Sequence, residues 1–192
     1  MLNFGPSWIG FDLVFKLEPL PMESVLAEIE KALSSRLYHL AVVMTLTMPD
    51  ICSALESSNG KTSGIKYKAW WQKYLSAEYP ALTGADAYSL RCGVIHQGKF
   101  GHENLKYDRI IWTFPHPRRI TIHKSIMSNT GSLTGIVYQL DASIFCRNVI
   151  AAVRAWYQVA QSDPHVKANL PNLIQLYPQG YPPYIIGLPV IA

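Results

Sequence analysis

The chain is short of charge. Of 192 residues, 17 are Lys or Arg and 13 are Asp or Glu, together 16%, against roughly 25% in an average soluble domain. A surface with so little charge points to partial cover, and self-association is the simplest cover. The net charge of +4 permits an acidic partner such as RNA without requiring one. Cysteine is scarce too. Cys52, Cys92 and Cys146 stand forty or more residues apart, which excludes a disulfide framework and a zinc knuckle. The expected state is reduced and the expected location cytoplasmic. The opening MLNFGPSWIGFDLVF has no basic n-region and no small-residue cleavage site, so no signal peptide is expected. Long apolar runs are missing as well. The longest, Leu40 to Met48, carries two threonines and stops at Pro49, far below the roughly 20 residues of a spanning helix. A membrane location is therefore not expected.

Most catalytic signatures are also absent. There is no GxGxxG, P-loop, HExxH, CxxC or GxSxG. No carboxylate cluster or histidine spacing suits a metal, so neither a metal nor a cofactor is expected. What is present is apolar material. Hydrophobic residues are 49% of the chain, which excludes a disordered protein, and the length fits a single domain.

Helical periodicity dominates the first half. Met22, Val25, Leu26, Ile29, Ala32 and Leu33 share one stripe, and Leu37, Leu40, Ala41, Met44, Met48, Ile51, Cys52 and Leu55 share another. Pro21 suits a first helical position, Ser34-Ser35 marks a break, and Pro49 is expected to kink the second helix near Thr45. Residues 65–76 read as a third helix, with Ile65, Ala69, Trp70 and Trp71 on its apolar side. Thr83 and Asp86 form a capping signal for a fourth, which ends at Gly98.

Beyond Gly98 the period changes. Arg109–Phe114, Arg119–His123 and Gly135–Leu140 are β-branched and aromatic runs, bounded by Pro115, Pro117 and Gly131. They predict a small antiparallel insertion over about 108–140. Asp141 caps a last long helix over 142–161, and a tail from Pro164 holds six of the thirteen prolines. Its apolar end predicts an arm packed on the body. The expected architecture is mostly α: a helical core over about 22–98 and 141–161, the β insertion, and the arm 164–192.

His102, His116 and His123 read as exposed loop residues, and His39 as a hydrogen-bonded residue at the core edge. The segment with chemical content is Leu90-Arg91-Cys92-Gly93-Val94-Ile95-His96-Gln97-Gly98. On an ideal helix Arg91 and His96 are about 140° apart, so one helix does not aim both squarely at one atom. Ala85, Ser89, Cys92 and His96 form a face of small residues, along which a second copy of the helix could pack and gather two histidines and two arginines. Such a cleft suits RNA cleavage without metal. Histidine moves the protons and arginine grips the phosphate. The alternative is structural: Arg91 caps carbonyls or pairs with a carboxylate, and His96 caps the helix end. Lys99, Lys106, Arg109, Arg118, Arg119 and Lys124, interleaved with Phe100, Tyr107 and Trp112, could contact RNA, or form a solvated basic loop.

The stretch resembles the R-x4-6-H signature of the HEPN superfamily. Leu82, Gly84, Asp86, Tyr88 and Leu90 through Gly98 fit the longer string of an uncharacterised bacterial HEPN-like group, and Pro183-Tyr184-Ile185 and Gly187-Leu188-Pro189 are also similar to it. The resemblance implies a HEPN-like helical bundle that acts as a homodimer. It implies a metal-independent endoribonuclease of toxin–antitoxin or defence type, with an antitoxin or other protein partner. Arg91 would contact the scissile phosphate and His96 would act in proton transfer. Active members usually carry a polar residue directly after the arginine, where this chain has Cys92. The departure leaves two readings, a slow nuclease or a non-catalytic module that binds RNA, nucleotide or protein.

Overall fold

The computed structural model describes residues 21–118, 120–128 and 135–192. Arg119, Gly131 and the N-terminal segment discussed above lie outside the described residues. Helices dominate: α1 Pro21–Ser34, α2 Tyr38–Leu55, α3 Gly64–Tyr74, α4 Gly84–Gln97, α5 Ala142–Ala160 and α6 Pro164–Asn169. A small sheet of β1 Arg109–Thr113, β2 Ser125–Ser128 and β3 Ile136–Asp141 lies between α4 and α5.

The first helix buries Met22, Leu26, Ile29 and Leu33, at spacings of four, three and four. It ends where Arg36 adopts a positive φ of 59°, within two residues of the expected break. α2 then runs through Pro49 without interruption and is the central helix, buried on most sides among α1, α3, α4 and α5. It is the one described helix long and apolar enough to cross a membrane, yet 56% of it is buried inside the fold. Its expected stripe holds at Ala41, Met48, Cys52 and Leu55, whereas Leu37 and Leu40 are exposed. In α3 the expected apolar side is wrong in part. Ile65 is 81% exposed and Ala69 is exposed too, whereas Trp70 and Trp71 face the core as expected and Tyr67 joins them there. The aromatic residues win that face because each buries far more apolar area than an isoleucine. Trp71 also donates its indole N–H to the Leu82 carbonyl at 2.9 Å, and Tyr67 its hydroxyl to the Leu46 carbonyl at 3.0 Å.

The sheet order is β1-β3-β2, with β1 parallel and β2 antiparallel to β3. The expected all-antiparallel insertion is therefore corrected to a mixed sheet. The second strand also forms at Ser125–Ser128 rather than at 119–123. Its Ile126 sits opposite Tyr138 across the ladder, a β-branched and aromatic pair that stabilises this register. β3 leads directly into α5, because the Asp141 side chain accepts the Ile144 amide at 2.9 Å as the helix cap. His123, expected in an exposed loop, is part of the same junction. It is half-buried, accepts the Asp141 amide at Nδ1 (3.1 Å) and lies 3.5 Å from the Tyr79 hydroxyl.

One hydrophobic cluster runs from Met22 to Val166 and draws on α1–α6 and the sheet. The tail breaks up as its prolines dictate. After α6 and a 3-10 turn, β4 Leu176–Tyr177 pairs with β7 Val190–Ile191, and inside that ladder β5 Gly180–Tyr181 pairs with β6 Ile185–Ile186. Ala192 and Gln175 exchange backbone hydrogen bonds that close the ribbon. The expectation of an arm packed on the body holds for Leu173, which touches the core. It fails for Tyr184, Ile186, Leu188 and Ile191, which are exposed.

Candidate functional site

The site is the C-terminal half of α4 with the part of α2 behind it. Thr83 and Asp86 form a reciprocal cap at the start of α4, each side chain holding the other's backbone N–H. At the other end Gly98 takes a left-handed φ of 63°, its N–H turns back to the Val94 carbonyl, and the Lys99 N–H reaches the Gly93 carbonyl. Gly93 admits no side chain, since a Cβ there would stand 2.0 Å from the Gly101 carbonyl oxygen. The returning loop lies directly on the helix at this point.

Arg91 and His96 do come together. Arg91 Nη1 stands 3.3 Å from His96 Nε2. The long arginine stem crosses the angular gap that helix geometry leaves between the two positions. A guanidinium only donates, so this contact is a hydrogen bond when His96 carries its proton on Nδ1. The His96 ring is exposed and Arg91 is half-buried.

Behind Arg91 sits a residue that the sequence reading did not single out. Asp50 of α2 accepts the Arg91 Nε–H at 2.7 Å through Oδ2, and its side chain is only 11% exposed. Thr62 donates to the other carboxylate oxygen at 3.4 Å and shares a 2.7 Å hydrogen bond with Ser53. Burial pushes the Asp50 carboxyl above its ordinary range, against the pull of Arg91 and Thr62. Partial burial also works against the Arg91 charge, but Asp50 and Cys92 together hold its pKa above the usual arginine value. A signal for Asp50 was available. It is the only Asp, Glu, Lys or Arg between Leu37 and Leu55, and a lone carboxylate on a buried helix requires a cation.

Cys92 is half-buried, and its thiol lies against both the Arg91 guanidinium and the Tyr88 hydroxyl. The small-residue face is rearranged. Ser89 is buried within the chain's own fold, and the outward positions of α4 are Ala85, Tyr88, Cys92, Ile95 and His96, with Ile95 40% exposed. Ser89 falls out because its side of the helix meets the protein core.

The basic and aromatic residues after the motif do not form a stacking platform. Tyr107 is buried and stacks on Tyr138 at 4.9 Å, Phe100 packs on Trp112, and Trp112 packs in turn on Phe145. Lys106 pairs with Asp86, and Lys124 with Glu78. Lys99, Arg109 and Arg118 are exposed. His102 and His116 each accept a backbone N–H two residues on. His39, expected at the core edge, is exposed and makes a T-shaped contact at 5.9 Å with Phe100, which packs against the core.

Among the described residues, no three His, Cys, Asp or Glu side chains gather as a metal site would need. What the arrangement offers is a charged guanidinium anchored from behind by a buried carboxylate, with one edge turned to an exposed imidazole. Such a pair can hold an oxyanion and exchange a proton beside it. A scan of protein-family models, curated proteins and solved structures finds no match to this chain.

Proposed function

We propose that this chain is a HEPN-like, metal-independent endoribonuclease of toxin or defence type, working as a homodimer in the cytoplasm. The observation that carries the reading is the 3.3 Å contact between Arg91 and an exposed His96, with Asp50 holding Arg91 in place. In RNA cleavage the 2′-oxygen attacks the adjacent phosphorus. Its proton goes to a base, the departing 5′-oxygen takes a proton from an acid, and the phosphorane gathers negative charge. His96 supplies an imidazole next to the phosphate site that can take up or release a proton. Arg91 supplies a permanent charge that a carboxylate keeps from swinging away. Two-fold pairing across Ala85, Tyr88, Cys92 and Ile95 brings a second set into the cleft, so that one histidine acts as base and its mate as acid. An antitoxin or other protein partner would cover the same face.

The second reading is a non-catalytic module that binds RNA, nucleotide or protein. What favours it is Cys92, whose thiol touches Arg91 at the position where active HEPN members usually have a stronger hydrogen-bonding group.

An RNA-cleavage assay in EDTA tests the proposal on wild type, Arg91→Ala and His96→Ala, each purified identically and confirmed folded. The expected result is cleavage by wild type, reduced at least about 100-fold in both variants. Equal activity in all three would mean a contaminant. No activity in any would leave the binding module as the better account. A strict monomer by light scattering at high concentration would remove the composite site.

A further inference from the structure

Away from the α4 motif, the C-terminal end of α2 and the outer face of α3 enclose a cleft of about 520 Å³, within the range of small-molecule sites. Lys66, Lys73 and His165 line it, together with Ser58, Trp70 and Glu56. Lys66 is held by neutral oxygens alone. Its ammonium donates to the Ser57 hydroxyl at 2.7 Å and to the Lys61 carbonyl at 2.9 Å. Neither Lys66 nor Lys73 forms an ion pair with a carboxylate among the described residues. Glu56 is the acid in the cleft, and its Oε1 already accepts the Trp156 indole N–H at 2.7 Å. Two lysines thus face one engaged glutamate. Trp70 adds an independent observation. It is 3% exposed, lines the cleft, and its indole N–H is buried with no partner among the described residues. A buried donor of this kind calls for an acceptor.

We infer that this cleft binds a phosphate-bearing ligand, whose oxygens Lys66 and Lys73 would meet beside the Trp70 side chain that lines it. Cations held by neutral groups retain their charge for an incoming anion, and lysine is a common point-charge partner of phosphate. The cleft lies on the far side of the Asp50 network from Arg91, since Ser53 lines it and bonds Thr62. It is therefore a second site, and it does not depend on the nuclease reading. A free nucleoside phosphate and the phosphorylated end of an RNA share this chemistry.

Titration calorimetry on the full chain tests it, with inorganic pyrophosphate, ADP, and a five-nucleotide RNA with and without a 5′-phosphate as probes. The variants are Lys66→Met/Lys73→Met, Trp70→Phe and Arg91→Ala. Wild type is expected to bind pyrophosphate, with binding weakened at least tenfold in the double lysine variant and by less in Trp70→Phe, and with the loss in the double lysine variant exceeding any loss in Arg91→Ala. Both lysines are exposed, so a matching melting temperature separates lost binding from lost folding. Competition by ADP alone would assign the ligand as a small molecule, and competition by the phosphorylated RNA alone would assign it as an RNA end. No binding of any probe by wild type would overturn the inference. Binding lost in Arg91→Ala but kept in the lysine variant would overturn it equally, by moving the phosphate to α4.

Discussion

In α4 both ends are closed by the helix's own residues, and its inner face is buried at Asp86, Ala87, Ser89, Leu90, Gly93 and Val94. In the C-terminal ribbon the pairing is just as regular, yet Tyr184, Ile186, Leu188 and Ile191 are between 65% and 79% exposed. The helix is held by burial and capping, and the ribbon by backbone hydrogen bonds. Substitutions in α4 should therefore be felt through the whole fold, while those on the ribbon's outer side chains should barely register.

The largest effect is expected at Gly93→Ala, where the new Cβ has no room beside Gly101. A loss of about 3 kcal/mol, or about 6–12 °C in melting temperature, should appear in thermal unfolding. Next comes Asp50→Ala, which leaves Arg91 without its carboxylate. We expect a loss of about 2 kcal/mol in denaturant titration, with RNA cleavage falling alongside. Thr83→Ala removes one half of the reciprocal cap and should cost about 1 kcal/mol. A smaller effect concerns pH. Asp50 titrates above its ordinary 3.8 in the folded chain, so the folded state holds more protons than the unfolded one in that window. Stability from this group is greatest in acid and declines as pH rises through the window. The stability of wild type relative to Asp50→Asn should accordingly fall as pH rises above about 3.8 and through the raised folded-state titration. Least of all, Ile186→Ser and Tyr184→Ser should stay within about 0.5 kcal/mol of wild type. A ribbon variant that unfolds the protein, or a harmless Gly93→Ala, would reverse the comparison.

The same contrast explains what was legible in the sequence. α4 was readable from Thr83 to Gly98 because caps and glycines act locally. α5 was readable from its stripe and from Asp141. The parallel pairing of β1 with β3 was not, because strand order depends on contacts distant in sequence. α3 misled because Ile65 and Ala69 fit a helical stripe as well as Tyr67 does, and aromatic area decided between them. At the site, Arg91 and His96 stood out by residue type, and their contact depends on side-chain reach rather than on helix angle. Asp50 was missed because its partner lies 41 residues away, although its isolation on an apolar helix marked it.

The central claim is that the Arg91–His96 pair drives attack by the ribose 2′-oxygen. The most direct measurement is end-group analysis of a short RNA after incubation in EDTA, beside the same RNA with every 2′-hydroxyl methylated. The account predicts 2′,3′-cyclic phosphate ends from the unmodified strand and an intact methylated strand. Equal cleavage of both strands, or products without cyclic ends, would contradict it.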